Sequence, residues 1–318
     1  ICTQLLLHGI EKIFILARSR TKFDAALEEW RERDGTNLGP TTDDKDPVKL
    51  HFISCDLGDI CAVREAADQI KQDTNRLDLV ICNAGLGIAP QYSLSPQSIE
   101  SVFATNCVGH HVLVMTLLPL MKTTTIKYST DARVVVTSSS LHLMCRRLDL
   151  DLLTSPTRTK PSMYDGIWRY ARSKLGNILF TRELSRRLLS DPDPGSKNIY
   201  VNSFFPGNIA TEQMDSWQQY FGSLIGRMIK WFFSIFGQSL EDGAATALYL
   251  AASKEIAAGE GVRGQYFIPI AKTSRTSSIS QDVQLAKDLW DWIDGQAEET
   301  LGGEWQFVGR QHPIDEAS

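Results

Sequence analysis

Six short apolar runs constrain this chain more than any other feature: KIFILAR (12–18), VKLHFISCDL (48–57), LDLVICNAG (77–85), ARVVVTSS (132–139), IYVNSFFPG (199–207) and GQYFIPI (264–270). Each is rich in β-branched and aromatic residues and nearly free of polar alternation, the pattern of a strand covered on both faces. Helical patterns separate them, at about 21–33, 59–73, 95–121, 165–189 and 240–253. Strand and helix in regular alternation specify an α/β fold, a doubly wound parallel sheet. Residues 35–47, polar with Gly and Pro, read as a surface loop, and the end of the chain lacks periodicity. The expected organisation is one domain over 1–295 and a tail over 296–318.

At 318 residues, 42% of them hydrophobic and 22% charged, the chain can fill one large core. A net charge of -5 gives no general attraction to phosphate backbones. With no local basic patch either, no nucleic-acid partner is expected. The six cysteines form no CxxC pair, and no histidines cluster at ligand spacing, so buried free thiols are expected rather than a metal site or a disulfide framework. A cytoplasmic location follows, compatible with membrane association or an N-terminal targeting signal.

Tyr170 and Lys174, in YARSK, stand four apart in a helical pattern and so project from one face. A phenol titrates near pH 10, and a close ammonium brings that value down by stabilising the phenolate. Such a pair can donate and accept a proton, although on an ordinary surface helix it would signify nothing. Two further signals accompany it. The run VVVTSS presents hydroxyls, Ser138 or Ser139, at the carboxyl edge of the sheet, where open α/β folds bind ligands. NAG (83–85) closes another strand at the same edge with residues small enough to admit a cofactor to the backbone.

These motifs, with CDL (55–57), TNCVGHH (105–111) and PGNIAT (206–211), resemble the short-chain dehydrogenase/reductase family from residue 1 to about 295. The resemblance implies a hydride-transferring enzyme in which Tyr170 is the proton donor or acceptor. Lys174 would lower its pKa and hold the nicotinamide ribose, Ser139 orient the substrate carbonyl, and Asn106 support a relay water. Ser138 and Ser140 are alternatives one residue away. It further implies that Asp56 and Leu57 border the adenine, that Asn83, Ala84 and Gly85 line the cofactor, and that Pro206, Gly207, Ile209 and Thr211 face the nicotinamide end. In the family a carboxylate ending the second strand selects NAD and a basic residue NADP. Here that place holds Arg18 and Ser19 with no carboxylate, which favours NADP(H).

Tyr170 follows Ser139 by 31 positions, a longer insertion than compact members have, and this looks like the branch of retinol dehydrogenases and WW-domain oxidoreductases. The aromatic-rich stretch at about 212–239 occupies the family's substrate lobe. It is either a stripe packed on the core or a cover for a lipophilic small-molecule substrate, retinoid-, steroid- or polyketide-like. Contact with a membrane surface is a third use for it, but its apolar runs fall short of the roughly 20 residues of a spanning helix. A homo-oligomer is compatible with this reading. An NADP-binding scaffold without catalysis, or a nucleotide-sugar epimerase, are the alternatives; the intact Tyr, Lys, Ser and Asn oppose the first and PGNIAT the second.

ICTQLLLHG reads as the second half of a helix stopped at Gly9. By the family's pattern a first strand and a glycine-rich turn stand ahead of it. That strand would lie between KIFILAR and LDLVICNAG, so residues 1–318 alone are expected not to form a working dehydrogenase.

Overall fold

The computed structural model describes residues 1–34, 50–154, 164–207, 240–258 and 261–305. The chain opens with α1 (Cys2–Leu7), which Gly9 follows in a left-handed conformation, φ 86°. Each apolar run then becomes a strand: β1 (Ile13–Ala17), β2 (Leu50–Ser54), β3 (Leu79–Cys82), β4 (Ala132–Thr137), β5 (Ile199–Phe204) and β6 (Tyr266–Ile268). A short β7 (Lys272–Thr273) adds an antiparallel edge that the sequence did not signal.

Strands β1 and β2 pair in parallel, with Ile15 opposite Phe52, and β3-β4-β5-β6-β7 form a second sheet in that order. Val80 lies opposite Val134, Val136 opposite Ser203, and Phe204 opposite Phe267. Every residue of β4 and β5 is buried, which is why their sequences are apolar without alternation. No hydrogen-bonded ladder joins β1 to β3, the two strands whose facing edges the sequence reading left open. One hydrophobic cluster nevertheless spans both sheets, since Ile53 in β2 and Cys55 just beyond it share it with Val80, Cys82 and Val134.

Long helices flank the strands, among them α2 (Arg20–Asp34), α3 (Ile60–Asp73), α4 (Gly109–Lys127), α5 (Asp165–Ser190) and α6 (Leu240–Ala252). Asp59 caps α3, its Oδ1 accepting from the Cys61 N–H at 3.0 Å, and Val63, Ala66, Ala67 and Ile70 form the buried stripe of that helix. The helical pattern expected from 95 starts later. Residues 95–99 form a tight turn, with Ser98 at φ 59°, and Glu100 then caps a short turn, Ser101–Phe103. A π-helical turn, Ala104–Val108, leads from it into α4. The segment Ser101–Lys127 is apolar and long enough to cross a membrane by composition, but here it is mostly buried as the central core helix.

Helix α7 (Val283–Leu301) runs across the expected boundary at 296. Its stripe of Ala286, Leu289, Trp290, Ile293 and Ala297 is buried, and Trp305 beyond it is buried too. His111 Nε2 on α4 donates to Asp294 at 2.9 Å, while the Trp290 ring stacks on Phe180 at 5.9 Å between centroids. These contacts fasten α7 across α4 and α5. Four of the six cysteines (Cys55, Cys82, Cys107, Cys145) are buried and all six are unpaired.

Candidate active site

The residues singled out from the sequence converge on the carboxyl ends of the parallel strands. Helix α5 runs under β4, and its Lys174 is buried with Nζ 3.2 Å from the Thr137 carbonyl oxygen that ends the strand. Asn177, one turn on, donates to the same oxygen at 2.9 Å. Ser138 donates to the Lys174 carbonyl at 2.7 Å, so its hydroxyl is committed to holding strand against helix. Ser139 instead caps the 3-10 turn Ser140–Met144, its Oγ accepting from the Leu141 N–H at 3.2 Å, and its hydroxyl is near enough to the Tyr170 phenol to act against the rise in its pKa. Ser140 is exposed. Of the three serines, Ser139 is the one that meets Tyr170.

Burial governs the electrostatics of the pair. It pushes the Tyr170 phenol up to about 12, against the opposing effect of Ser139. It also lowers the Lys174 ammonium to about 8, with the Cys107 thiol opposing. Lys174 Nζ sits over the Tyr170 ring, 5.5 Å from its centroid. The ammonium therefore lies close to the phenol, but its hydrogen bond goes to the strand.

Asn106 lies in the π-helical turn and is fully buried. Its amide pairs with the backbone of Leu86, accepting from the N–H at 2.7 Å and donating to the carbonyl at 2.9 Å. The same Nδ2 donates to Ser173 Oγ at 3.0 Å, and Ser173 donates to the Tyr170 carbonyl at 2.8 Å. This side chain is thus a brace between the segment after β3 and α5. The Asn106 carbonyl oxygen accepts from His110 Nδ1 at 3.0 Å. Burial and the Lys174 charge hold His110 down to about 4, hence neutral with one proton to donate.

The expected cofactor residues lie along the same edge. Asn83 and Ala84 are exposed, and Asn83 Oδ1 accepts from Thr137 Oγ1 at 3.1 Å. A side chain at Gly85 would place its Cβ 2.7 Å from Asn106 Oδ1, so only glycine allows this approach. Gly109 is required for a similar reason: a Cβ there would overlap the Leu57 carbonyl, and Leu57 is one of the residues expected beside the adenine. Asp56, exposed, accepts from the Gly58 N–H at 2.9 Å. Arg18 is exposed at the end of β1, while Ser19 Oγ accepts from the Lys22 N–H at 3.2 Å in the first turn of α2. Pro206 and Gly207 follow β5, with Gly207 at φ 95°. Ile209, Thr211 and the lobe at 212–239 lie outside the described residues, as does 155–163 of the long insertion. Exposed backbone, a glycine that admits close approach and a buried lysine suit an extended dinucleotide at this edge.

Sequence reasoning missed Ser173, Asn177, His110 and Arg169, whose contacts hold the site together. Only the i, i+3 and i+7 positions of Ser173 and Asn177 relative to Tyr170 could have drawn attention to them.

Comparisons with known proteins identify the family and the fold. The family model described as short chain dehydrogenase matches residues 1–146. A short-chain dehydrogenase/reductase of Armillaria gallica is 30% identical over 93% of this chain and 84% of its own length. Retinol dehydrogenase 14 of Homo sapiens is 31% identical over 88% of this chain and 77% of its own. The fold is that of a Pseudomonas aeruginosa RhlG/NADP active-site complex, with a TM-score of 0.55, 20% identity, and coverage of 84% of this chain and 88% of that one. The chain is an oxidoreductase of the short-chain dehydrogenase/reductase family, in the branch that includes the retinol dehydrogenases.

Proposed function

We propose that this protein interconverts a carbonyl and an alcohol on a lipophilic small molecule with NADP(H), Tyr170 being the proton donor and acceptor. The observation that carries the reading is the meeting of Ser139, Tyr170 and Lys174 at the carboxyl end of β4. When bound, the nicotinamide supplies or takes up the hydride. In the reducing direction the carbonyl carbon gains that hydride and the carbonyl oxygen takes the Tyr170 proton; oxidation reverses both transfers. Ser139 donates a hydrogen bond to the substrate oxygen and so orients it. Lys174 stabilises the phenolate left behind, and its ammonium, Asn83–Gly85 and Pro206–Gly207 hold the nicotinamide half.

The lipophilic substrate is supported by the segment between Ser139 and Tyr170, which exposes Leu143, Met144, Tyr164 and Trp168 around a turn packed on α5. The relative named retinol dehydrogenase 14 points the same way. Preference for NADP is supported by Arg18, exposed at the end of β1 with no carboxylate on Ala17 or Ser19 to oppose a 2′-phosphate. The test is a panel of long-chain and polycyclic aldehydes and ketones beside short polar ones, each with NADPH and NADH. Turnover confined to polar substrates, or to NADH, would contradict the reading.

A further inference from the structure

Arg169, immediately before Tyr170, is 1% exposed, and its guanidinium is bound on three sides. Nε donates to Asp165 Oδ2 at 2.8 Å in the preceding turn of α5. Nη1 donates to the Gln91 carbonyl at 3.0 Å and to Glu100 Oε1 at 3.3 Å, and Nη2 donates to the Ala89 carbonyl at 2.8 Å. Glu100, also 1% exposed, accepts from the N–H groups of Val102 and Phe103 at 3.1 and 3.0 Å, and its own N–H donates to the Leu153 carbonyl at 2.7 Å.

One guanidinium thus joins four pieces of chain. These are the first turn of α5, the irregular backbone that follows Asn83–Gly85, the turn leading to Asn106, and, through Glu100, the insertion at Leu153. Ala89 and Gln91 belong to no helix or strand, so their carbonyls depend on such a donor. The other groups facing this cluster are Arg172, buried one turn on, and Tyr92, whose ring lies 5.7 Å from the guanidinium. A lysine could satisfy one of these directions but not all, because only a planar fork presents donors along several fixed lines.

The geometry points to Arg169 as a positioning residue: it locks the helix turn that presents Tyr170 to the 86–92 segment bordering the cofactor, so that donor and cofactor site keep one relative placement. The inference rests on the reading of Tyr170 as the proton donor. It assigns Arg169 no contact with substrate. Its action goes through the register of α5, and its loss should separate the phenol from Ser139 and Lys174 rather than remove a reacting group.

The test uses the full-length protein with Arg169→Lys, Arg169→Met and the double variant Arg169→Met/Glu100→Gln, the last because removing one member alone leaves a buried unpaired charge. Hydrogen exchange read at 86–92 and 165–170 should rise together, by about tenfold or more, in the double variant, while β4 and β5 stay protected. Turnover per folded molecule should fall by about tenfold or more with KM for NADPH within about twofold, and Arg169→Lys should recover part of it. The acidic limb of the kcat–pH profile for alcohol oxidation should move to higher pH, which loss of stability alone does not produce.

Exchange that rises at only one of the two segments, or turnover and pH profile unchanged in the double variant, would overturn the inference. A Tyr170→Phe control separates the two readings. If that variant turns over normally the proton-donor reading fails, and the exchange data still decide the bracing. If it is inactive while the Arg169 variants are normal, only the bracing fails.

Discussion

The Ser138 hydroxyl donates to the main-chain carbonyl of Lys174 at 2.7 Å, while its neighbour Ser139 faces the Tyr170 phenol. Two adjacent serines at one strand end therefore differ in placement, one fixing β4 against α5 and one available for the substrate oxygen in the proposed reaction. Ser139→Ala should lower turnover by about a hundredfold, with little change in melting temperature. Ser138→Ala should cost about 1 kcal/mol of stability and leave turnover per folded molecule largely intact. Thermal melts and steady-state kinetics on the two variants check this, and an exchange of the two phenotypes would reverse the assignment.

The proposed role of Lys174 is set against the stability of the fold. Its ammonium titrates at about 8 in the fold against 10.5 for the free side chain. Between those values the unfolded chain holds the proton and the folded chain does not, so stability rises with pH across that window. Below about 8 the full cost of burying the charge applies, on the order of 3 kcal/mol from a shift of this size. Lys174→Met should therefore raise the melting temperature at pH 7 while abolishing turnover, and the gain should shrink between pH 8 and 10. A variant less stable than the parent at pH 7 would show that the bond to the Thr137 carbonyl outweighs the burial.

On the proposed reading, cofactor choice turns on Arg18. Arg18→Glu removes the phosphate partner and adds repulsion, so the ratio of kcat/KM for NADPH over NADH should fall by about a hundredfold and favour NADH. An unchanged ratio would mean that the guanidinium at the end of β1 is merely solvated.

Strands β4 and β5 were legible because both are buried on both faces, which leaves a run such as VVVT with no polar alternation to confuse. Strand β7 was not, since Lys272 and Thr273 are both exposed and their pairing with β6 depends on the chain turning back. The stripe of α7 was present in the sequence from Ala286 to Ala297, but its polar interruptions, Lys287, Asp288 and Asp291, hid it until packing against α4 and α5 was seen. Among site residues, Tyr170, Lys174, Ser139 and Asn106 could be named from motifs. The bracing contacts could not, because Arg169 meets Glu100 across 69 positions of sequence and the Asn106 amide pairs with Leu86 across 20. Such partners are set by the fold, and no local pattern records them.

In the proposed reaction the Tyr170 hydroxyl carries the proton. The most direct measurement is single-turnover reduction of a lipophilic ketone by Tyr170→Phe in the full-length protein, beside its NADPH affinity. Only one oxygen is removed, so turnover should fall by about a thousandfold or more while the NADPH Kd stays within about twofold and the melting temperature holds. A Tyr170→Phe protein that reduces the ketone at a rate near the parent's would contradict the account.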